Sequence, residues 1–151
     1  MRIKAFTILT AAGIALAGCE TISETVADTV EDGFTANLTG AQVVPGPGDV
    51  DGSGRAELTV LDKTNQVCYE FDLRGIGQPT QVALYRGASG EQGVLAYTFE
   101  TPRSATSKGC ARPSEAIADA LEANTAGHYL VVSTAEFPGG AIRGQFSNRD
   151  D

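Results

Sequence analysis

At 151 residues the chain has room for one ordinary domain and a short extension, and none for a second enzyme domain. Its 19 acidic side chains outnumber 11 basic ones, for a formal net charge of −8, which argues against nucleic acid or an anionic lipid surface as partner. A hydrophobic content of 42% suffices for one core.

Arg2 and Lys4 form a short basic start, Ala5 to Ala17 is apolar and uncharged, and Leu16-Ala17-Gly18-Cys19 closes the run. That layout is a secretory signal, too short to span a bilayer. Small residues directly before a cysteine resemble a bacterial lipobox, so residues 1–18 are expected to be removed and Cys19 to become the lipidated first residue. Several acyl chains on Cys19 would anchor the protein to a membrane stably, where one alone binds marginally. Glu20 follows, and no aspartate occupies the position associated with inner-membrane retention, which favours the outer membrane where two membranes are present. The expected location is the cell envelope. Cleavage leaves 133 residues (151 − 18) with 9 basic and 19 acidic side chains, a net −10. Residues 19–32 are acidic and space Ile22, Val26 and Val30 every fourth residue; three apolar residues bury little, and the segment reads as a solvated tether.

The domain is expected over residues 33–148, with 149–151 a tail. Phe34, Ala36 and Leu38 alternate with Thr35, Asn37 and Thr39, giving a first strand. The proline- and glycine-rich run from Gly40 to Gly54 reads as an extended connection crossing an edge. Arg55 to Leu61 alternates again, Asp62 to Asn65 is a turn, and Gln66 to Leu73 sets Val67, Tyr69, Phe71 and Leu73 inward and Cys68, Glu70 and Asp72 outward. Gln81 to Tyr85 and Val94 to Phe99 read as a strand pair separated by the glycine-rich RGASGEQG. Ser114 to Asn124 is the one helix, with Ser114 as cap, Glu115 in the first turn, and Ile117 and Leu121 on one face. His128 to Ser133 and Ala141 to Phe146 form the last hairpin. In its turn, Phe137-Pro138-Gly139-Gly140, Pro138 fixes φ at about −65° and Gly139 supplies the φ > 0 expected next. Seven short strands and one small helix predict an all-β, antiparallel Greek-key sandwich or barrel.

With Cys19 lipidated, Cys68 and Cys110 remain, an even pair in an oxidising compartment. A disulfide between them is expected, with Cys68 stapling an overlying loop through Cys110. Neither has a CxxC partner or a nearby histidine, so catalysis and metal ligation are the weaker readings. Closing 42 residues (110 − 68) removes unfolded-state entropy worth about 4 kcal/mol in the chain-entropy model.

The segments FTANLTGAQVVPGPGDVDGSGRAELTV, the RGASGEQG loop and GCARPSEAIADALEANTAGHYLVVSTAEFPGGAIRGQF, in that order, resemble the CHRD domain, a family named from repeats in chordin. The most specific pieces are LTGAQVVP and EFPGGAIRGQ. The resemblance implies an extracytoplasmic β-sandwich, immunoglobulin-like or superoxide-dismutase-like in layout, that serves as an interaction module. Relatives commonly carry two histidines just before the glycine-rich loop, and an asparagine and a histidine in the strand before the final hairpin. Ala83 and Tyr85 stand at the first pair here, and Val131 and Ser133 at the second. Metal or proton chemistry of such a cluster is therefore not transferred to this chain.

His128 is the single histidine, and one imidazole cannot build a copper site that needs several. At a strand start it is expected to be solvated or hydrogen-bonded. Without GxSxG, a phosphate loop or a second base, no catalytic residues are assigned and the chain is expected not to be an enzyme. Asp49, Asp51 and Ser53 mimic the first half of a calcium loop, but Val60 holds the twelfth position where a glutamate belongs. The segment reads as a glycine-rich loop, with weak calcium binding the alternative. Pro138, Gly139, Gly140, Arg143, Gly144 and Gln145 form the structural motif, with Arg143 an internal brace whose guanidinium forks to a carboxylate or to loop carbonyls. No cofactor is expected. The function expected is a lipid-anchored envelope protein whose non-catalytic CHRD-like domain binds a protein or glycan or contributes to envelope structure. The runner-up is a degenerate metal-binding sandwich handling calcium or stress-related ligands.

Overall fold

A computed structural model describes residues 32–149. The signal sequence, Cys19, the tether up to Glu31 and the last two residues lie outside them. Strands form wherever apolar residues recur at every second position, because that spacing puts them all on one face of an extended chain. The elements are β1 (Asp32–Thr39), β2 (Ser53–Leu61), β3 (Gln66–Arg74), β4 (Pro79–Arg86), β5 (Val94–Phe99), β6 (Thr106–Ala111), α1 (Glu115–Ala123), β7 (His128–Thr134) and β8 (Ile142–Asn148). They make one antiparallel sheet in the order β5-β4-β7-β8-β1-β2-β3-β6. First and last strands are neighbours, so the described residues end beside where they begin.

The sheet curls into a half-barrel, as the all-β reading requires. Phe34, Leu38, Leu58, Phe71, Val82, Leu130, Ile142 and Phe146 line its inner face and are buried. Each such side chain contributes about 1.5–3 kcal/mol relative to exposure. Across the open side of the curl, β5 at one edge meets β3, next to the other edge, through rings. Phe99 on β5 packs edge-on against Tyr69 and Phe71 on β3, with centroids 5.2 and 5.6 Å apart. Leu121 and Ala118 of α1 join this core.

Five expectations change. An eighth strand, β6, occupies what reads as loop, because its inward positions Ser107, Gly109 and Ala111 carry no apolar signal. Cys110 therefore sits in a strand, directly opposite Cys68, and the bridge between them is cross-strand. The connection from Gly40 to Gly52 crosses no edge, since β1 and β2 pair with each other; it folds onto the entry to β8, where Asp49 N donates to Ala141 O at 2.8 Å. In the final turn Gly140 N donates to Phe137 O at 3.1 Å, and the positive φ, 132°, falls on Gly140 and not on Gly139. The helix starts after Ser114 as expected, but that side chain makes no capping bond, and Ala118 is buried more deeply than Ile117.

Candidate functional site

On β4, β7 and β8 the residues that point away from the core are also covered, with Ala83, Tyr129 and Arg143 buried and Tyr85, Val131 and Gln145 half-buried. Ladder pairing lines them up in two rows, Ala83–Val131–Arg143 and Tyr85–Tyr129–Gln145. The RGASGEQG loop folds back over Tyr129, Arg143 and Gln145, while Gly140 packs against Val131.

Arg143 is 2% exposed. Its Nη1 donates to Glu91 O at 2.7 Å and its Nη2 to Ala88 O at 3.0 Å, while the guanidinium carbon lies 3.6 Å from the centre of the Tyr129 ring. Among the described residues no carboxylate pairs with it. Burial pulls its pKa down, yet an arginine stays charged, so carbonyl dipoles and a ring face compensate the cation. Lysine could not do this, because its ammonium has no planar fork to span two carbonyls.

The neighbours complete the clamp. Gln145 Nε2 donates to Gly87 O at 2.8 Å and Ala126 O at 2.7 Å, and Gly87 N donates to Gly127 O at 2.8 Å. Tyr129 stacks on Tyr85, 5.3 Å between centroids and 7° between planes, and its hydroxyl accepts from Gly93 N at 2.7 Å. Within the loop, Glu91 N donates to Ala88 O across a turn whose third residue, Gly90, has φ of 78°. The loop is thus fixed to β7, to β8 and to the turn that precedes β7. Its tip faces solvent: Ala88, Ser89, Gly90, Glu91 and Gln92 are exposed even though the Ala88 and Glu91 carbonyls bind Arg143, and the chain then enters β5 through Val94 (65% exposed) and Leu95 (51%).

The positions at which relatives carry histidine or asparagine fall on this same face. Ala83 is opposite Val131, Tyr85 is two residues further along β4, and Ser133 is opposite Gln81. The register brings all four together, and the side chains found there cannot ligate a metal as imidazoles do. His128 is elsewhere. It is 2% exposed at the start of β7, and its Nδ1–H donates to Asn124 O at 2.9 Å, since a carbonyl only accepts.

Asp49, Asp51 and Ser53 do not converge. Asp49 Oδ1 accepts from Asp51 N at 3.1 Å, closing a local turn, and Ser53 opens β2 opposite Thr39. Among the described residues no three histidine, cysteine, aspartate or glutamate side chains are grouped to hold a metal ion. Of the final motif, Arg143 and Gln145 bind the loop, while Gly144 sits where a side chain would strike Asn37 O. Pro138, Gly139 and Gly140 build the turn that delivers them. Tyr85 and Tyr129 are absent from the sequence-derived set; alternation from Arg143 across the hairpin to Val131 and Tyr129 was the available signal.

On the other half of the sheet, Cys68 and Cys110 lie in an open depression of 520 Å³ with Glu57, Glu70, Lys108 and Arg149. Lys108 pairs with Glu70 at 2.8 Å and Arg55 with Glu57 at 2.8 Å. Arg55 first, then more distant cations, hold the Glu57 carboxyl below its ordinary pKa. These are solvated pairs of the kind that contribute little.

Neither the curated proteins nor the solved structures contain a match to this chain. A family model described as the CHRD domain matches residues 34–146, from Phe34 at the start of β1 to Phe146 near the end of β8, and so covers every element of the fold. On that match, the chain belongs to the CHRD domain family.

Proposed function

We propose that the protein is a lipid-anchored envelope protein whose CHRD domain is a non-catalytic interaction module, with the loop Gly87–Gly93 and the start of β5 as its contact surface. The observation that carries this reading is the contrast within the loop. Five hydrogen bonds hold its backbone, and its tip exposes the side chains of Ser89, Glu91 and Gln92 beside the apolar Val94 and Leu95. A fixed backbone with exposed, mixed side chains lowers the ordering cost of binding. The reactive types on this face are already engaged, the guanidinium with carbonyls and the Tyr129 hydroxyl with a backbone N–H, which favours recognition over chemistry. Anchoring rests on the basic start, apolar run and small residues before Cys19.

Two measurements test the parts separately. Cys19→Ser should move the protein from the membrane to the soluble fraction; unchanged fractionation removes the anchor. For the surface, the soluble chain from Glu20 onward is immobilised and challenged with envelope extract, beside a variant with Ser89→Lys, Gln92→Lys and Leu95→Glu. Loss of specific partners at an unchanged melting temperature supports the surface, and identical capture by both sinks it.

A further inference from the structure

The Cys68–Cys110 bridge ties β6 to a sheet that otherwise holds it weakly. None of the six residues of β6 is buried, whereas β3 buries Val67, Tyr69, Phe71 and Leu73. As the outermost strand, β6 has one neighbour only. Its adhesion therefore consists of a hydrogen-bond ladder with β3, the half-buried Ala111 against the core, the contact of Gly109 with Tyr69, the Lys108–Glu70 pair and the disulfide. Solvent-exposed ladders without buried side chains open at the low end of a protein's local stability range. The bridge is also within reach: Cys110 is exposed, Cys68 is half-buried, and both line the open depression.

What β6 covers gives its release a consequence. The Tyr69 ring lies across Gly109, so closely that a side chain there would strike the phenol. Beneath it Tyr69 stacks on Phe71 at 4.8 Å, and both meet Phe99. Removing β6 uncovers this aromatic cluster and leaves the outer edge of β3 unpaired, a combination that binds extended chains and apolar groups.

We propose that the bridge is a reducible clasp, a site of thiol–disulfide exchange with a dithiol reductant, whose opening releases β6 and exposes the Tyr69–Phe71–Phe99 surface. One thiolate of the dithiol attacks the more exposed sulfur, Cys110 Sγ; the S–S bond breaks and Cys68 leaves as thiolate. The second thiol of the reductant then attacks its own sulfur in the mixed disulfide, expelling Cys110 as thiolate. The dithiol leaves oxidised to a disulfide, its two electrons and two protons now on Cys68 and Cys110.

The test uses the full chain, oxidised or treated with dithiothreitol and then iodoacetamide, without denaturant. Both cysteines should be alkylated, and amide exchange over residues 106–111 should quicken at least about tenfold while residues 128–148 keep their protection. Binding of a hydrophobic dye should rise together with that exchange. Cys68→Ser combined with Cys110→Ser should reproduce the reduced pattern without any alkyl group, which separates release from damage by the label. Failure to alkylate under native conditions, unchanged exchange over 106–111, or equal loss of protection across all strands would each overturn the proposal.

Discussion

Arg143 holds a buried positive charge with two carbonyls and a ring, and each component depends on the shape of guanidinium. Arg143→Lys keeps the charge and loses the fork, so it should lower stability by about 1.5–3 kcal/mol, the range for hydrogen bonds to charged groups. Differential melting would show it, and proteolysis should begin to cut within Gly87–Gly93; a wild-type melt would mean that the loop does not depend on the fork. Gly144 is required for a different reason. Its Cα faces β1 so closely that a methyl group would collide with the Asn37 carbonyl, which is backbone and cannot swing away. Gly144→Ala should cost about 1–3 kcal/mol through forced displacement, whereas Gly139→Ala, which opens onto free space without a positive φ, should melt as wild type. Equal melts for the two variants would refute the packing argument.

Helix α1 meets the β2–β3 turn through carboxylates, not through a salt bridge. Burial first, and then Asp62, Asp32 and Asp119, push the Glu122 carboxyl above its ordinary pKa of 4.5, and its Oε1 is buried without a hydrogen-bond partner. A carboxyl whose folded pKa is raised holds its proton after the unfolded chain has lost its own. The folded state then binds more protons, and stability falls as pH climbs from 4.5 through the folded value. Glu122→Gln removes that fall. Its melting temperature should exceed wild type at neutral pH and converge with it at about pH 3.5, where both side chains are neutral; a gain that persists at the acidic end would assign the effect to packing. At this scale the sequence was readable where side chains alternate in size. Phe34, Ala36 and Leu38 declare β1, and Val67, Tyr69, Phe71 and Leu73 declare β3. In β6 the inward positions are Ser107, Gly109 and Ala111, and Gly109 has no side chain where the Tyr69 ring lies across it, so the middle of the strand is concealed by the fit that makes it possible.

Across the whole molecule the sequence disclosed the class of fold but not the site, and the reason is separation along the chain. The hydrogen bonds that fix the loop link residues 52, 55 and 58 positions apart, and no local period encodes such pairings. The Arg-Gly-Gln segment marked side chains in need of partners, and only the register of β4, β7 and β8 names Ala88, Glu91 and Gly87. The same topology permits a test of which connections the fold needs. β1 and β8 are antiparallel neighbours, with Phe34 opposite Asn148 and Arg149 N donating to Gly33 O at 2.8 Å. A turn of about two to four residues can therefore join Arg149 to Asp32 in a circular permutant, as in an ordinary hairpin. New ends placed between Lys63 and Thr64 fall in an exposed turn whose breakage leaves both strands paired elsewhere, β2 to β1 and β3 to β6. That permutant should melt in one transition, lowered by about 5 °C or less. New ends between Ser89 and Gly90 leave Arg143, Gln145 and Tyr129 without fixed partners over a buried face, and the midpoint should drop by more than about 10 °C. If both permutants melt alike, the loop is carried by the sheet and is no part of its stability. If only the second collapses, the surface proposed for binding is built into the fold itself.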